Sequence, residues 1–194
     1  EVVTHARRLN YAPIFTPRNL MEPAFIASLK SLKADLFIVA AFRILPPEVF
    51  TIPRINTLNI HASLLPKFRG PAPIQRAIEA GEKYTGVTVF AIDAGVDTGK
   101  VILQKKTEIG ERETAPQLYE RLAVLGAEAM QESVSLIERD EVVYLEQDEN
   151  LTTKAPKLKK EEAHIDWHES SRTIFNRIRA FKPFPSTFSM LSGR

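Results

Sequence analysis

Apolar residues fall at Val2, Val3, Ala6 and Leu9, one face of a helix already under way at the first residue, and APIF after it reads as a short strand. A second helix is predicted from Phe25, Ile26, Leu29 and Leu32, with Pro23 at its start, where a missing N–H costs nothing. ADLFIVAAF is a continuous apolar run, the pattern of a parallel strand covered on both faces. RINTL then leads into another buried strand that runs out near His61. A short helix from about Pro71 to Ala80, closed by Gly81, precedes the β-branched strand GVTVFAID. DAGVDTG is a turn-rich loop into VILQ, so a broad hairpin is expected. From Thr114, with Gln117 at capping-box spacing, a long helix sets Leu118, Leu122, Leu125, Ala129 and Ile137 along one face. VVYLEQ reads as a returning outer strand. This alternation of strands and helices predicts an α/β fold with a mostly parallel sheet.

The character of the chain changes beyond Asn150. TKAPKLKKEEAHIDW has little periodicity, SSRTIFNRIRAF is a helix with Ile174, Ile178 and Phe181 on one side, and FKPFPSTFSMLSGR opens a strand. Charge divides at the same place. Residues 1 to 149 hold 17 Lys and Arg against 20 Asp and Glu, whereas 150 to 194 hold 9 against 4. A basic segment of that kind suits a polyanion, and equally a solvated connector. The expected organisation is a domain over 1–149, a basic arm with its helix over 150–182, and the start of a further domain over 183–194. A helix cut at residue 1 and a strand cut at residue 194 suggest an internal piece of a longer protein.

Composition is that of a globular protein, 44% hydrophobic and 26% charged, and the longest apolar run is far too short to span a membrane. No charged-then-apolar leader opens the chain, so export is not expected. The absence of cysteine removes disulfides and thiolate chemistry and fits a reducing compartment. No phosphate-cradling glycine motif occurs, and His5, His61, His164 and His168 lack metal-ligand spacing. Ser63 lies in no nucleophile elbow, and His164 and His168 read as surface residues.

What remains is NIHASLLPKFRGPAPIQ. Strand alternation puts Asn59 and His61 on one face, and a loop stiffened by Pro66, Gly70, Pro71 and Pro73 follows. Asp93 and Asp97 lie in IDAGVDTG, where two glycines free the backbone to bring a carboxylate inward. An amide donor, a histidine and a carboxylate together stabilise a tetrahedral oxyanion while moving a proton, which suits acyl-type transfer to an amine. The same residues also suit a capped turn, a satisfied interior histidine and a turn-opening aspartate.

NIHASLLPKFRGPAPIQRAI and GVTVFAIDAGVDTGKVIL resemble the signature of the folate-dependent formyltransferases, among them the methionyl-tRNA formyltransferases. The likeness extends through APIFTP, LPPEVF, KEEAHIDW and IRAFKPFP to nearly the whole chain. It implies a Rossmann-like domain, a linker, and the first residues of a C-terminal β-barrel. It further implies a formyl group passing from 10-formyltetrahydrofolate to the α-amine of initiator methionyl-tRNA, without a metal, in a cytoplasmic or organellar monomer. By that resemblance Asn59 and His61 would stabilise the oxyanion, and Asp97 would hold His61 and take the amine proton. Ser63, Leu64, Leu65 and Pro66, with Phe42, Arg43, Ile44 and Leu45, would line the folate site. Lys154, Lys157, Lys159, Lys160 and Arg69 would meet tRNA. The 194 residues alone are not expected to turn over. Rival readings are a sugar-nucleotide or glycinamide ribonucleotide formyltransferase, a formyltetrahydrofolate hydrolase, and a non-catalytic RNA-binding relative.

Overall fold

The computed structural model describes residues 2–40 and 44–190. The chain divides into two compact units, Glu1–Phe37 with Phe42–Thr57, and Ile38–Ala41 with Leu58–Arg194.

The first unit contains α1 (Val2–Arg8), α2 (Pro23–Ser31) and the single turn α3 (Pro47–Phe50). Proline occupies the first turn of α2 and of α3, the helical position that has no intrahelical use for an N–H. Among its described residues Leu20, Val49 and Pro53 are buried apolar side chains, and the Thr57 hydroxyl donates to the Phe50 carbonyl at 2.7 Å. APIF, expected as a strand, has no regular structure: Pro13 removes a donor from a segment only four residues long.

The strands are β1 (Leu36–Ala40), β2 (Asn56–His61), β3 (Tyr84–Ala91) and β4 (Val101–Glu108), in the order β1-β2-β3-β4. β3 pairs antiparallel with β2, placing His61 opposite Thr88, and antiparallel with β4 across the expected hairpin. The mostly parallel sheet is therefore not what forms. The expectation rests on the apolar run ADLFIVAAF, yet no residue of β1 is fully buried and Ile38 is 54% exposed. The strand covered on both faces is β3, with a long helix on one side and the segment 63–66 on the other. Strand direction leaves no such mark.

That helix is α5 (Ala115–Glu138), which packs on β3 and β4 and begins with the Thr114/Gln117 capping box. At Gly126 a Cβ would come within 3.2 Å of Ile60 Cγ2, so the missing side chain lets α5 approach the sheet. α4 (Pro73–Glu79) packs on α5 and on α6 (Ser171–Ala180), and Phe181 just beyond α6 is fully buried. Burying that ring contributes about 2–3 kcal/mol. VVYLEQ does not become a strand. It makes a single bridge, Leu145 to Val101.

The arm after Asn150 is also more than a connector. Arg69 N–H donates to Thr153 O at 2.9 Å and Ala155 N–H to Arg69 O at 2.7 Å, a short parallel bridge along the loop that follows β2. Gly70 makes this possible: its φ is +123°, and a Cβ there would lie 2.7 Å from Ala155 O. Near the described end of the chain, Phe188 exchanges backbone bonds with Ala163 and Ile165.

Candidate active site

β2 delivers Asn59 and His61 to the start of the loop 62–72. Ser63 Oγ donates to Lys67 O at 2.6 Å and Lys67 N–H to Leu64 O at 3.1 Å, folding the loop back toward the end of the strand. This brings the Phe68 carbonyl to 2.8 Å from His61 Nε2. A carbonyl only accepts, so Nε2 must carry the proton and Nδ1 is the nitrogen left to work. His61 is 6% exposed.

The partner of Nδ1 comes from the loop between β3 and β4. Asp93 turns to its own backbone, accepting from Gly95 N–H at 3.0 Å and from the Thr98 hydroxyl at 2.6 Å, a side-chain-closed turn. Asp97 is the one directed inward. Its Oδ2 lies 3.5 Å from His61 Nδ1 and accepts from Gly70 N–H at 2.8 Å. Its φ is +55°, a left-handed conformation that aspartate tolerates better than most residues. A neutral His61 would present only a lone pair to this carboxylate, whereas the imidazolium presents an N–H. The two groups face each other at 3.5 Å, a separation looser than a closed hydrogen bond. Asn59 stands two residues before His61 and is half-buried, and no described residue hydrogen-bonds its side chain.

The segment 63–66 is held from beneath. The fully buried Thr88 hydroxyl accepts from Leu65 N–H at 3.1 Å and donates to Ser63 O at 2.7 Å, and Gln104 Nε2 donates to both Leu65 O and Thr88 Oγ1. Ser63 is fully buried and Leu65 packs with Phe90 and Val101 in the core, so only Leu64, Pro66 and the backbone of this segment are free to meet a ligand. Of the other expected folate-lining residues, Phe42 and Arg43 lie outside the described residues. Ile44 is highly exposed and Leu45 half-buried, both in the first unit.

The cations separate into two kinds. Lys154, Lys157, Lys159 and Lys160 are exposed, and among the described residues none is in an ion pair. Arg69 instead turns inward, 9% exposed, with its guanidinium on Glu149 through bonds of 3.0 and 2.8 Å and on Gln147 Oε1. Its hydrogen bonds hold the Glu149 carboxyl below the ordinary value, with burial opposing. Arg76 braces the same arm from α4, reaching the Pro156 carbonyl at 3.1 Å and Glu162 at 2.6 Å.

Sequence reasoning did not single out Thr88, Gln104 or Gln147. Thr88 has one signal, a hydroxyl within the largely apolar run VTVFA of β3, and Thr85 of the same strand is buried as well. Gln104 and Gln147 have none, because their partners lie far away along the chain.

A family model described as formyl transferase matches residues 1–134, and one described as formyl transferase, C-terminal domain, matches residues 157–194. The chain is 43% identical over 182 residues to a methionyl-tRNA formyltransferase of Chlorobium phaeovibrioides, covering 94% of this chain and 57% of that protein. It is 44% identical over 182 residues to a methionyl-tRNA formyltransferase of Stutzerimonas stutzeri, covering 93% and 58%. The chain thus spans little more than half the length of these relatives. Among solved structures, HypX from Aquifex aeolicus in complex with tetrahydrofolic acid superposes with a TM-score of 0.74 at 25% identity, over 89% of this chain and 30% of that one. WlaRD, a sugar 3N-formyl transferase, superposes at 0.75 and 24% identity, over 93% and 62%, which is a likeness of fold.

Proposed function

The chain belongs to the formyl transferase family, and on that premise we propose that it carries the catalytic centre for moving a formyl group from 10-formyltetrahydrofolate to the α-amine of methionyl-tRNA, in the bacterial cytoplasm. The observation that carries the chemistry is the His61 Nδ1 to Asp97 Oδ2 pair at 3.5 Å, with Nε2 already committed to the Phe68 carbonyl. The choice of acceptor rests on identity above 40% to methionyl-tRNA formyltransferases.

In this reading the amine nitrogen attacks the formyl carbon and a C–N bond forms. Negative charge gathers on the formyl oxygen. The Asn59 amide and the protonated Nδ1 of His61 are the donors for that oxyanion, a role in which preorganised hydrogen bonds supply much of the rate. The Asp97 carboxylate balances the imidazolium and accepts the proton that the attacking amine loses. Collapse of the intermediate breaks the bond to N10 of the folate, and the proton leaves with that nitrogen. Leu64, Pro66 and the backbone held by Thr88 form a wall for the folate. Lys154, Lys157, Lys159 and Lys160 are phosphate contacts for the tRNA, while Arg69 supports the arm from within.

The test is formylation by the full-length protein, offered methionyl-tRNA and, separately, an amino-sugar nucleotide as acceptor. Formyl-methionyl-tRNA as the product supports the proposal. Formylation of the sugar amine alone would replace the acceptor, and hydrolysis of the folate without transfer would replace the reaction.

A further inference from the structure

The conformation of Asp97 needs an external hold. A single left-handed aspartate costs on the order of 1 kcal/mol or more, and the residue stands in a nine-residue connection on the surface side of β3 and β4. Two of that connection's carbonyls, those of Asp97 and Gly99, converge on one group: Gln147 Nε2 donates to them at 2.9 and 2.7 Å. The other end of the same amide accepts from Arg69 Nε at 3.1 Å and Nη2 at 2.8 Å. Arg69 is in turn fixed by Glu149 and by the backbone bridge to Thr153 and Ala155. The amide is oriented from both sides, since its nitrogen faces only acceptors and its oxygen only donors.

The loop 68–70 thereby meets Asp97 twice. Gly70 N–H bonds the Asp97 carboxylate directly, while the Arg69 side chain, through Gln147, fixes the Asp97 backbone. The Phe68 carbonyl of the same loop sets the His61 ring. We infer that Gln147 is a positioning residue for the proton-handling pair, holding the Asp97 carboxylate at His61 Nδ1 by clamping the loop that carries it to Arg69. The inference rests on the proposed role of Asp97 in formyl transfer.

Gln147→Glu separates positioning from mere anchoring. A carboxylate keeps both bonds from Arg69 and cannot donate to either carbonyl. An anchor for the arm would therefore tolerate the change, and a clamp on Asp97 would not. Gln147→Met removes both halves. In the full-length protein the expected result for Gln147→Glu is a folded protein with a lowered melting temperature, since two carbonyls lose their donor, and an unchanged KM for both substrates, with kcat lower by about 10- to 100-fold, the scale on which small displacements of a reacting group act. The His61 ring signals in 15N-detected NMR, which require no turnover, should shift in both variants.

An active wild type with unchanged kcat in Gln147→Glu overturns the inference. An inactive wild type whose His61 signals still shift in the variants removes the transfer reading and leaves the clamp standing. Inactivity with unshifted signals removes both.

Discussion

Replacing Thr88 by valine preserves shape and removes one hydroxyl that is fully buried and has three partners. Leu65 N–H loses its acceptor, Ser63 O its donor, and Gln104 one of its two acceptors, although Gln104 keeps the Leu65 carbonyl at 2.7 Å. Each buried backbone group left unpaired costs about 1–3 kcal/mol, and the methyl that replaces the hydroxyl returns up to about 1 kcal/mol. The net expectation is a loss of about 3 kcal/mol, or a melting temperature lower by roughly 6–12 °C for a chain of this size. Thr88→Ser is the control, because it keeps the hydroxyl and gives up one methyl, for about 1 kcal/mol. Urea unfolding of the three proteins measures the difference. A valine variant destabilised no more than the serine variant would show that the hydroxyl is not what holds segment 63–66, and would remove the structural basis for that segment as a fixed wall.

The lysine arm is tested by salt. If Lys157 and Lys159 contact tRNA phosphates, replacing both by alanine lowers the slope of log affinity against log salt by about one to two units and leaves folate binding unchanged; identical slopes make the arm a brace alone. A second expectation concerns pH. Burial favours the neutral form of Glu113, but its bonds from Arg121 and Gly110 N–H and the charges of Arg121 and Arg179 outweigh burial and lower its pKa below the ordinary 4.5. Its stabilising contribution is thus full above 4.5 and is lost as pH falls through the lowered folded value, so the gap in urea midpoint between wild type and Glu113→Gln should close over that acid range. A gap that stays constant from neutral pH down through that range would contradict the coupling.

The parts of the site that were legible in the sequence are those with a local signature. Asn59 and His61 share a strand face by alternation, the glycines on either side of Asp97 mark a loop able to turn inward, and the Thr114/Gln117 spacing marks the start of α5. Asp93 and Asp97 could not be told apart that way. What separates them is that Asp93 closes a turn with Gly95 and Thr98, while Asp97 accepts from Gly70, 27 positions away. The β3/β4 hairpin was legible from its loop, but the antiparallel pairing of β2 with β3 was hidden because a strand covered on both faces reads the same either way. Arg69 looked like one more cation near a basic arm. Its inward turn depends on Gln147 and Glu149, 78 and 80 positions along the chain, and a contact that distant has no periodicity to betray it.

The central claim is that the His61 and Asp97 pair handles the proton in formyl transfer. The most direct measurement is single-turnover formylation of methionyl-tRNA by full-length wild type and Asp97→Asn, because asparagine tolerates the left-handed backbone and still accepts from Gly70 N–H while lacking the charge. The account predicts a rate lower by about 10²- to 10⁴-fold, with folate and tRNA affinities and melting temperature retained. An Asp97→Asn variant that transfers formyl at the wild-type rate would contradict it.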